Sequence, residues 1–392
     1  YSKIGILHPY PTLVGGSVRR QLMLHLAAVA LILVAAAPVS AQDLGCAGAK
    51  YSDSHFHLTN YIQEGTDVKD YVRMMGNTVC RSTLFGIPLQ QEWAYGNSGG
   101  FAPTYYLQSD APLYYYSFTD AFIAMAYRSL PPAQQARLDP MITGFNPADM
   151  YAADHIRRVL LTFPGVFSGI GEFSIHKEFV SAKIAGGAAS LTDPALDRIL
   201  DFAAEAGLVV ILHNDINMPF PKPDQEPYVL LQLRDVLLRH PQATVIWAHV
   251  GLGRIVRPVT DQVTLLDRAL SNPALPNLYI DISWDETAKY ITSSPEAVAR
   301  TAALINKYPD RFLFGTDVVA PVSLAAPMAV YDAYAPLWQA LTPEASQRVR
   351  FGNYARLFDA ARVKVRAWEQ ANIGKPRPVP APTPSSGVGV TP

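Results

Sequence analysis

Two histidines separated by one residue, His55 and His57, stand in the segment YSDSHFH (51–57). In a strand, residues i and i+2 point to the same side, so both imidazoles would enter one space. Neutral imidazoles bind zinc and other divalent ions such as manganese or iron. Further candidate ligands end other short apolar runs: Glu172 in VFSGIGE, His213 in LVVILH, His249 in TVIWAH and Asp317 in RFLFGTD. Seven histidines follow residue 42, at 55, 57, 155, 176, 213, 240 and 249, and four of them lie at the end of such a run, a clustering that packing alone does not explain. A bound divalent ion lowers the pKa of its water from about 15.7 to about 7, and a neighbouring carboxylate can take and return the proton. Each residue also has an ordinary role open to it. An isolated His-x-His is a weak pattern, His213 or His249 could be a hydrogen-bonded core histidine, Asp317 a turn cap, and Glu172 the partner of a cation such as Lys177. Together, in this order, they argue for a metal site.

Such residues need a frame that brings them to one place. Strands are expected near 51–57, 78–86, 140–145, 166–172, 208–213, 244–249, 278–283 and 311–317, with amphipathic stretches between them. Helices are expected at 194–206 and 295–307, after Asp193 and Ser294 as caps, with Pro194 and Pro295 in the first turn. Gly207 is placed to end the first of these. Eight strands alternating with helices predict an α/β fold, a (β/α)8 TIM barrel, in which chemistry gathers at the C-terminal ends of the strands. No GxGxxG or Walker A sequence follows the first strand, so an open nucleotide-binding sheet has no support. The segment after strand 2, about 87–138, is longer than an ordinary crossover. It carries Tyr95, Tyr105, Tyr106, Tyr114, Tyr115, Tyr116 and Tyr127, as a pocket wall or lid, or as a local packing cluster.

Apolar residues make up 49% of the 392-residue chain and charged residues 17%, enough to bury a large core. The formal net charge of -1 offers no basic field for nucleic acid and suits a small-molecule substrate. Arg19 and Arg20 precede an apolar run from Leu22 to Pro38, and Val39-Ser40-Ala41 places small residues before Gln42, the pattern of a secretory signal peptide. The run is short for a bilayer span, so no stable membrane anchor is expected after cleavage. The residues before Val18 fit no targeting segment and read as an upstream extension. The expected organisation is a signal peptide at 1–41, a barrel domain at 42–372 and a disordered Pro-rich tail at 373–392, in a periplasmic or secreted protein. Export would put Cys46 and Cys80 in an oxidising compartment, where a disulfide and two separate thiols both remain open.

The sequence resembles the amidohydrolase superfamily, in its amidohydrolase-related (amidohydrolase 2) branch. DSHFHL is similar to its first-strand His-x-His, ILHND to its fifth-strand histidine, WAHVGLGR to its sixth-strand His-x-Gly, FLFGTD to its eighth-strand aspartate and FGNYARLF to its closing segment. The resemblance implies a main metal held by His55, His57, His213 and Asp317, zinc first, with manganese or iron as alternatives. Asp317 would also accept a proton from the metal's water, and His249 would bind a second metal or stabilise charge on the substrate. Glu172 stands where binuclear relatives carry a bridging carboxylated lysine or glutamate, so one ion and two ions both stay open.

The implied activity is hydrolysis, with metal-bound hydroxide cleaving a C–N or C–O bond of an amide, lactone or ester. A metal-dependent decarboxylase of a small carboxylic acid is the alternative. An exported metal- or ligand-binding protein without turnover is a third reading, of another class. On the substrate side, Arg254 could clamp a carboxylate bidentately, although an ion pair or a helix cap is its commoner role. Trp284 follows the seventh strand on the expected catalytic face, and Asn214 and Asp215 could orient a ligand beside His213.

Overall fold

A computed structural model describes residues 48–60, 63–87, 91–92, 106–107, 115, 117–177, 189–217, 226–253 and 256–375. All belong to the second of the two units into which the chain divides, Ala41–Pro392. The expected signal peptide, Cys46, Arg254 and most of the tail lie outside these residues, as do Tyr95, Tyr105, Tyr114 and Tyr116.

Eight parallel strands follow one another around a single sheet. They are β1 (Tyr51–Asp53, continued by Phe56–His57), β2 (Val79–Leu84), β3 (Leu138–Ile142), β4 (Gly169–His176), β5 (Val209–Asn214), β6 (Thr244–Trp247), β7 (Leu278–Asp281) and β8 (Phe312–Leu313, continued by Val318–Val319). The sheet closes between its first and last members. Val318 and Val319 pair with Phe56 and His57, and the Ser54, Asp317 and Ala320 amides donate to Phe314, His55 and His57 carbonyls at 3.0, 2.7 and 2.9 Å. This is the expected TIM barrel.

Helices Pro194–Ala206 and Pro295–Lys307 form as their caps predict. The Asp193 carboxylate accepts from the Ala195 amide at 3.0 Å, and the Ser294 hydroxyl from Ala297 at 3.2 Å. Each satisfies an amide that the first helical turn leaves without a backbone partner. Gly207 takes the left-handed conformation that ends the first of them. Among the described residues, no helix is long and apolar enough to cross a membrane.

Two apolar clusters hold the barrel. The larger packs the outer faces of the strands against the surrounding helices. The smaller fills the barrel with Met141, Val209, Ile211, Ile246 and Leu313 and joins them to Tyr354, Leu357 and Phe358 of the last helix, Asn353–Asn372. That helix seals the base. Its Arg362 and Tyr354 bond the buried Asp139 carboxylate at 2.6 and 2.8 Å, while Arg81 of β2 reaches it at 2.8 Å.

Two sequence expectations are corrected. β4 does not stop at Glu172 but runs on to His176, because Phe173, Ser174 and His176 continue the ladder opposite Leu212, His213 and Asn214. β6 stops at Trp247, so His249 lies in a turn, Ala248–Gly251, rather than at a strand end. The long segment at 87–138 holds, among its described residues, a short pair, Gln91–Glu92 with Tyr106–Leu107, and the helix Phe118–Arg128. Tyr127 belongs to that helix, half-buried against the outer core.

Candidate metal centre

Glu172 owes its position to an irregularity in β4. The register with β5 shifts between Ile170 and Phe173, and Gly171 there has φ 112°. A Cβ on Gly171 would stand 2.1 Å from the Ile211 carbonyl oxygen, so only glycine lets the two strands approach this closely. Such a bulge re-aims the next side chain. The Glu172 carboxylate then meets four histidines. Its Oε2 lies 3.5 and 3.6 Å from His55 and His57 Nε2. Its Oε1 lies 2.7 Å from His213 Nδ1 and 3.3 Å from His249 Nε2.

Asp317 divides in the same way. Its Oδ1 is 3.3 and 3.2 Å from His55 and His57 Nε2, and its Oδ2 is 3.7 Å from His249 Nε2. Among the described residues, His55, Glu172, His249 and Asp317 form a group whose donor atoms all lie within 4.8 Å of one another. His57 faces both carboxylates of that group. His213 meets it through Glu172 and through the edge of the His249 ring, ring centres 5.0 Å apart, its other nitrogen being held by Asp215 at 3.1 Å.

These residues fit a metal. His55 Nε2 is fully buried and has no hydrogen-bond partner, an arrangement that costs free energy unless something else occupies its lone pair. Donors around a tetrahedral zinc at about 2.1 Å stand roughly 3.4 Å apart, and the six imidazole–carboxylate separations to His55, His57 and His249 run from 3.2 to 3.7 Å.

Burial and charge compete at each ligand. Burial pushes the Glu172 carboxyl up, but the Lys177 ammonium, 4.0 Å from Oε1, and the His213, His249 and His55 imidazoles hold it well below the usual range. Burial likewise opposes ionisation of Asp317, and the His55 and His249 imidazoles outweigh it. His213 loses by burial and by the Lys177 charge, yet its bonds to Asp215 and Glu172 raise it to about 9. For His249 burial prevails and favours the neutral ring. Both carboxylates are thus ionised at neutral pH, as ligands or proton acceptors must be.

Around this group lie residues that the sequence reading named as neighbours and two that it missed. Trp284 packs beside His249, ring centres 5.1 Å apart. Asn214 is buried at the end of β5 and bonds the Asp215 carbonyl at 3.2 Å. Tyr115 brings a buried hydroxyl near enough to Lys177 to feel its charge. The missed residues are Asp281 and Ser283. Asp281 ends β7 and accepts from His55 Nδ1 at 2.9 Å, and Ser283 lies 2.7 Å from His249 Nδ1. Their signal was present in LYIDIS, where polar residues close an apolar run as the candidate ligands do.

The sequence matches the amidohydrolase family over residues 53–360. No curated protein matches it. Among solved structures, it is similar to a putative 2-pyrone-4,6-dicarboxylic acid hydrolase from Pseudomonas putida, at 14% identity, 79% of this chain, 98% of that one and a TM-score of 0.46. A dihydroorotase from Campylobacter jejuni is 13% identical over 79% of this chain and 83% of that one, at 0.46. An amidohydrolase from Burkholderia multivorans with bound zinc is 13% identical over 79% and 99%, at 0.48. Superpositions this loose carry no weight of their own, and the family assignment rests on the match across most of the chain. The protein belongs to the amidohydrolase family and is a metal-dependent enzyme of the hydrolase type.

Proposed function

We propose that the protein hydrolyses a C–N or C–O bond of a small amide, lactone or ester at a centre that would hold two divalent ions, with Glu172 as a ligand available to both. The observation that carries this reading is the division of the Glu172 carboxylate, with one oxygen facing His55 and His57 and the other facing His213 and His249. His55, His57 and Asp317 would hold one ion, and His213 and His249 the other. Zinc suits this set of imidazoles and carboxylates, and manganese or iron would also fit.

Such ions supply Lewis acidity towards a water and a carbonyl oxygen. The residues do the rest. Asp317, held ionised by its imidazole neighbours, takes the proton of the attacking water and returns it to the leaving nitrogen or oxygen. His249 lies against the same carboxylates, where its neutral ring would serve as a ligand to the second ion. Trp284 walls the substrate side beside it, and Arg254 is proposed as an anchor for a substrate carboxylate. The arginines, apolar run and small residues before Gln42 support export to the periplasm or beyond, as does the bonding of Cys80 in a disulfide.

Metal content per chain, measured by elemental mass spectrometry on the parent and on Glu172→Ala, tests the reading. About two ions falling to about one in the variant is the expected result and directs a substrate screen to amides, lactones and esters. About one ion in both would remove Glu172 from the ligands and favour the decarboxylase alternative. No ion after reconstitution with zinc or manganese would overturn the proposal.

A further inference from the structure

We infer that Asp281 is a positioning residue shared by His55 and His249, and that it fixes both rings with a bare Nε2 turned into the metal centre. The inference rests on the metal-site reading above and goes beyond it in assigning a role to a residue that touches no ligand-binding oxygen.

Asp281 is fully buried at the end of β7. Its Oδ2 lies 2.9 Å from His55 Nδ1. A carboxylate only accepts, so His55 carries its proton on Nδ1. The other oxygen, Oδ1, accepts from the His249 amide at 3.0 Å, from the Ser283 amide at 3.0 Å, and from the Ser283 hydroxyl. Because Ser283 spends its proton on Asp281, its oxygen is left to accept from His249 Nδ1, 2.7 Å away. His249 therefore also carries its proton on Nδ1. One carboxylate thus sets the tautomer of two histidines on opposite sides of the seam, one directly and one through Ser283. The lone pair of each Nε2 is left facing Glu172 and Asp317. The same Oδ1 holds the backbone at His249, where His249 and Val250 have φ of 57° and 59°. That conformation is costly for a β-branched valine and needs outside support.

Asp281→Asn cannot reproduce this pattern in either orientation of its amide. With its oxygen at the Oδ1 position, its NH2 group faces His55 Nδ1, and the His55 proton must move to Nε2, the atom that faces the ion. With the amide reversed, Ser283 must accept from it and donate to His249, and the His249 proton moves to Nε2 instead. Either way one ligand is blocked by its own proton.

The test uses the full chain, with zinc affinity measured by chelator competition and histidine tautomers read by nitrogen-15 NMR of the zinc-loaded protein. Asp281→Asn is expected to lose about 10- to 100-fold in zinc affinity, the usual cost of losing a ligand's outer partner, and to lose one Nδ1–H resonance. A purely structural role would lower thermal stability and leave both readouts at parental values, which would overturn the inference. Should Asp281→Asn fail to fold, Ser283→Ala carries the test. It removes only the His249 limb and is expected to weaken zinc several-fold and shift the His249 signal alone; an unchanged affinity overturns the shared role. A parent that binds no zinc at all would defeat the metal-site reading itself, an outcome distinct from normal zinc binding by the variants.

Discussion

The Thr316 hydroxyl donates to the Asp53 carboxylate at 2.6 Å, and the Thr316 amide reaches its other oxygen at 2.9 Å. These bonds tie β1 to β8 beside two ligands, because the His55 amide donates to the same Asp53 at 3.1 Å and Asp317 follows Thr316 directly. Thr316→Val keeps the shape and removes one donor to a buried carboxylate, so it is expected to cost about 1–3 kcal/mol in denaturant unfolding. Burial, only partly offset by the Thr316 and His55 bonds, pushes the Asp53 carboxyl up to about 6. A folded value raised above the unfolded one means that this group's contribution declines as pH rises from about 4 to 6. The gap between parent and Thr316→Val should therefore stay level up to about pH 6 and widen above it, where the parent's Asp53 ionises before the variant's, and a gap that stayed constant throughout would count against this account of Asp53.

Gly315 offers a steric test of ligand placement. A Cβ there would lie 2.6 Å from His55 Cβ and 2.7 Å from the His55 amide nitrogen. Gly315→Ala must push β1 away from β8 at the ligand itself. Overpacking of this kind costs about 1–3 kcal/mol, and metal content should fall along with stability. Retention of full metal content would show that the seam yields without moving His55.

At the base, Asp139 is held below the ordinary carboxylate range, because the Arg362 and Arg81 guanidiniums and the Tyr354 hydroxyl outweigh its burial. A depressed folded value contributes stability that is present above the unfolded pKa, about 4, and is lost as pH falls through the folded value. Asp139→Asn takes the shared anion from the buried Arg81, which still has Asp359, and from the half-buried Arg362, and is expected to cost about 3–5 kcal/mol at neutral pH. Its unfolding curve should approach the parent's as pH drops below about 4. Equal stability at pH 7 would contradict the anchoring role.

Among the described residues there is no free cysteine, and Cys80 is bonded in a disulfide. Thiol titration of the denatured, unreduced protein should find none. Reduction should lower stability by about 2–4 kcal/mol, and an unchanged melting temperature after reduction would show the bond to be dispensable.

The strands, their order and six candidate ligands were legible because period-2 geometry and strand ends are written locally. His55 and His57 share a face by spacing alone, and Asp317 closes an apolar run. What the sequence hid was which way a ring turns. Whether His213 offers Nδ1 or Nε2 depends on Asp215 and Glu172, the latter 41 residues distant. The aim of Glu172 depends on a bulge that one glycine permits, and a regular strand reading placed it at a strand end. Asp281 escaped notice because its partners, His55 and His249, are 226 and 32 residues away. The turn at His249 requires left-handed backbone in residues whose types do not announce it.

Closure of the barrel by its first and last strands has a bearing on how the chain reaches its native state. His55 and His57 are made early and Asp317 more than 250 residues later, and their backbones meet only when β8 docks on β1. Contacts of such separation form slowly, since a long loop must be closed before they repay its entropy. A partly folded chain lacking β8 therefore has the histidines and Glu172 but not Asp317, and its first strand has no β8 to close on. Mature coordination therefore has to wait for the clasp that completes the sheet, because Asp317 arrives with it.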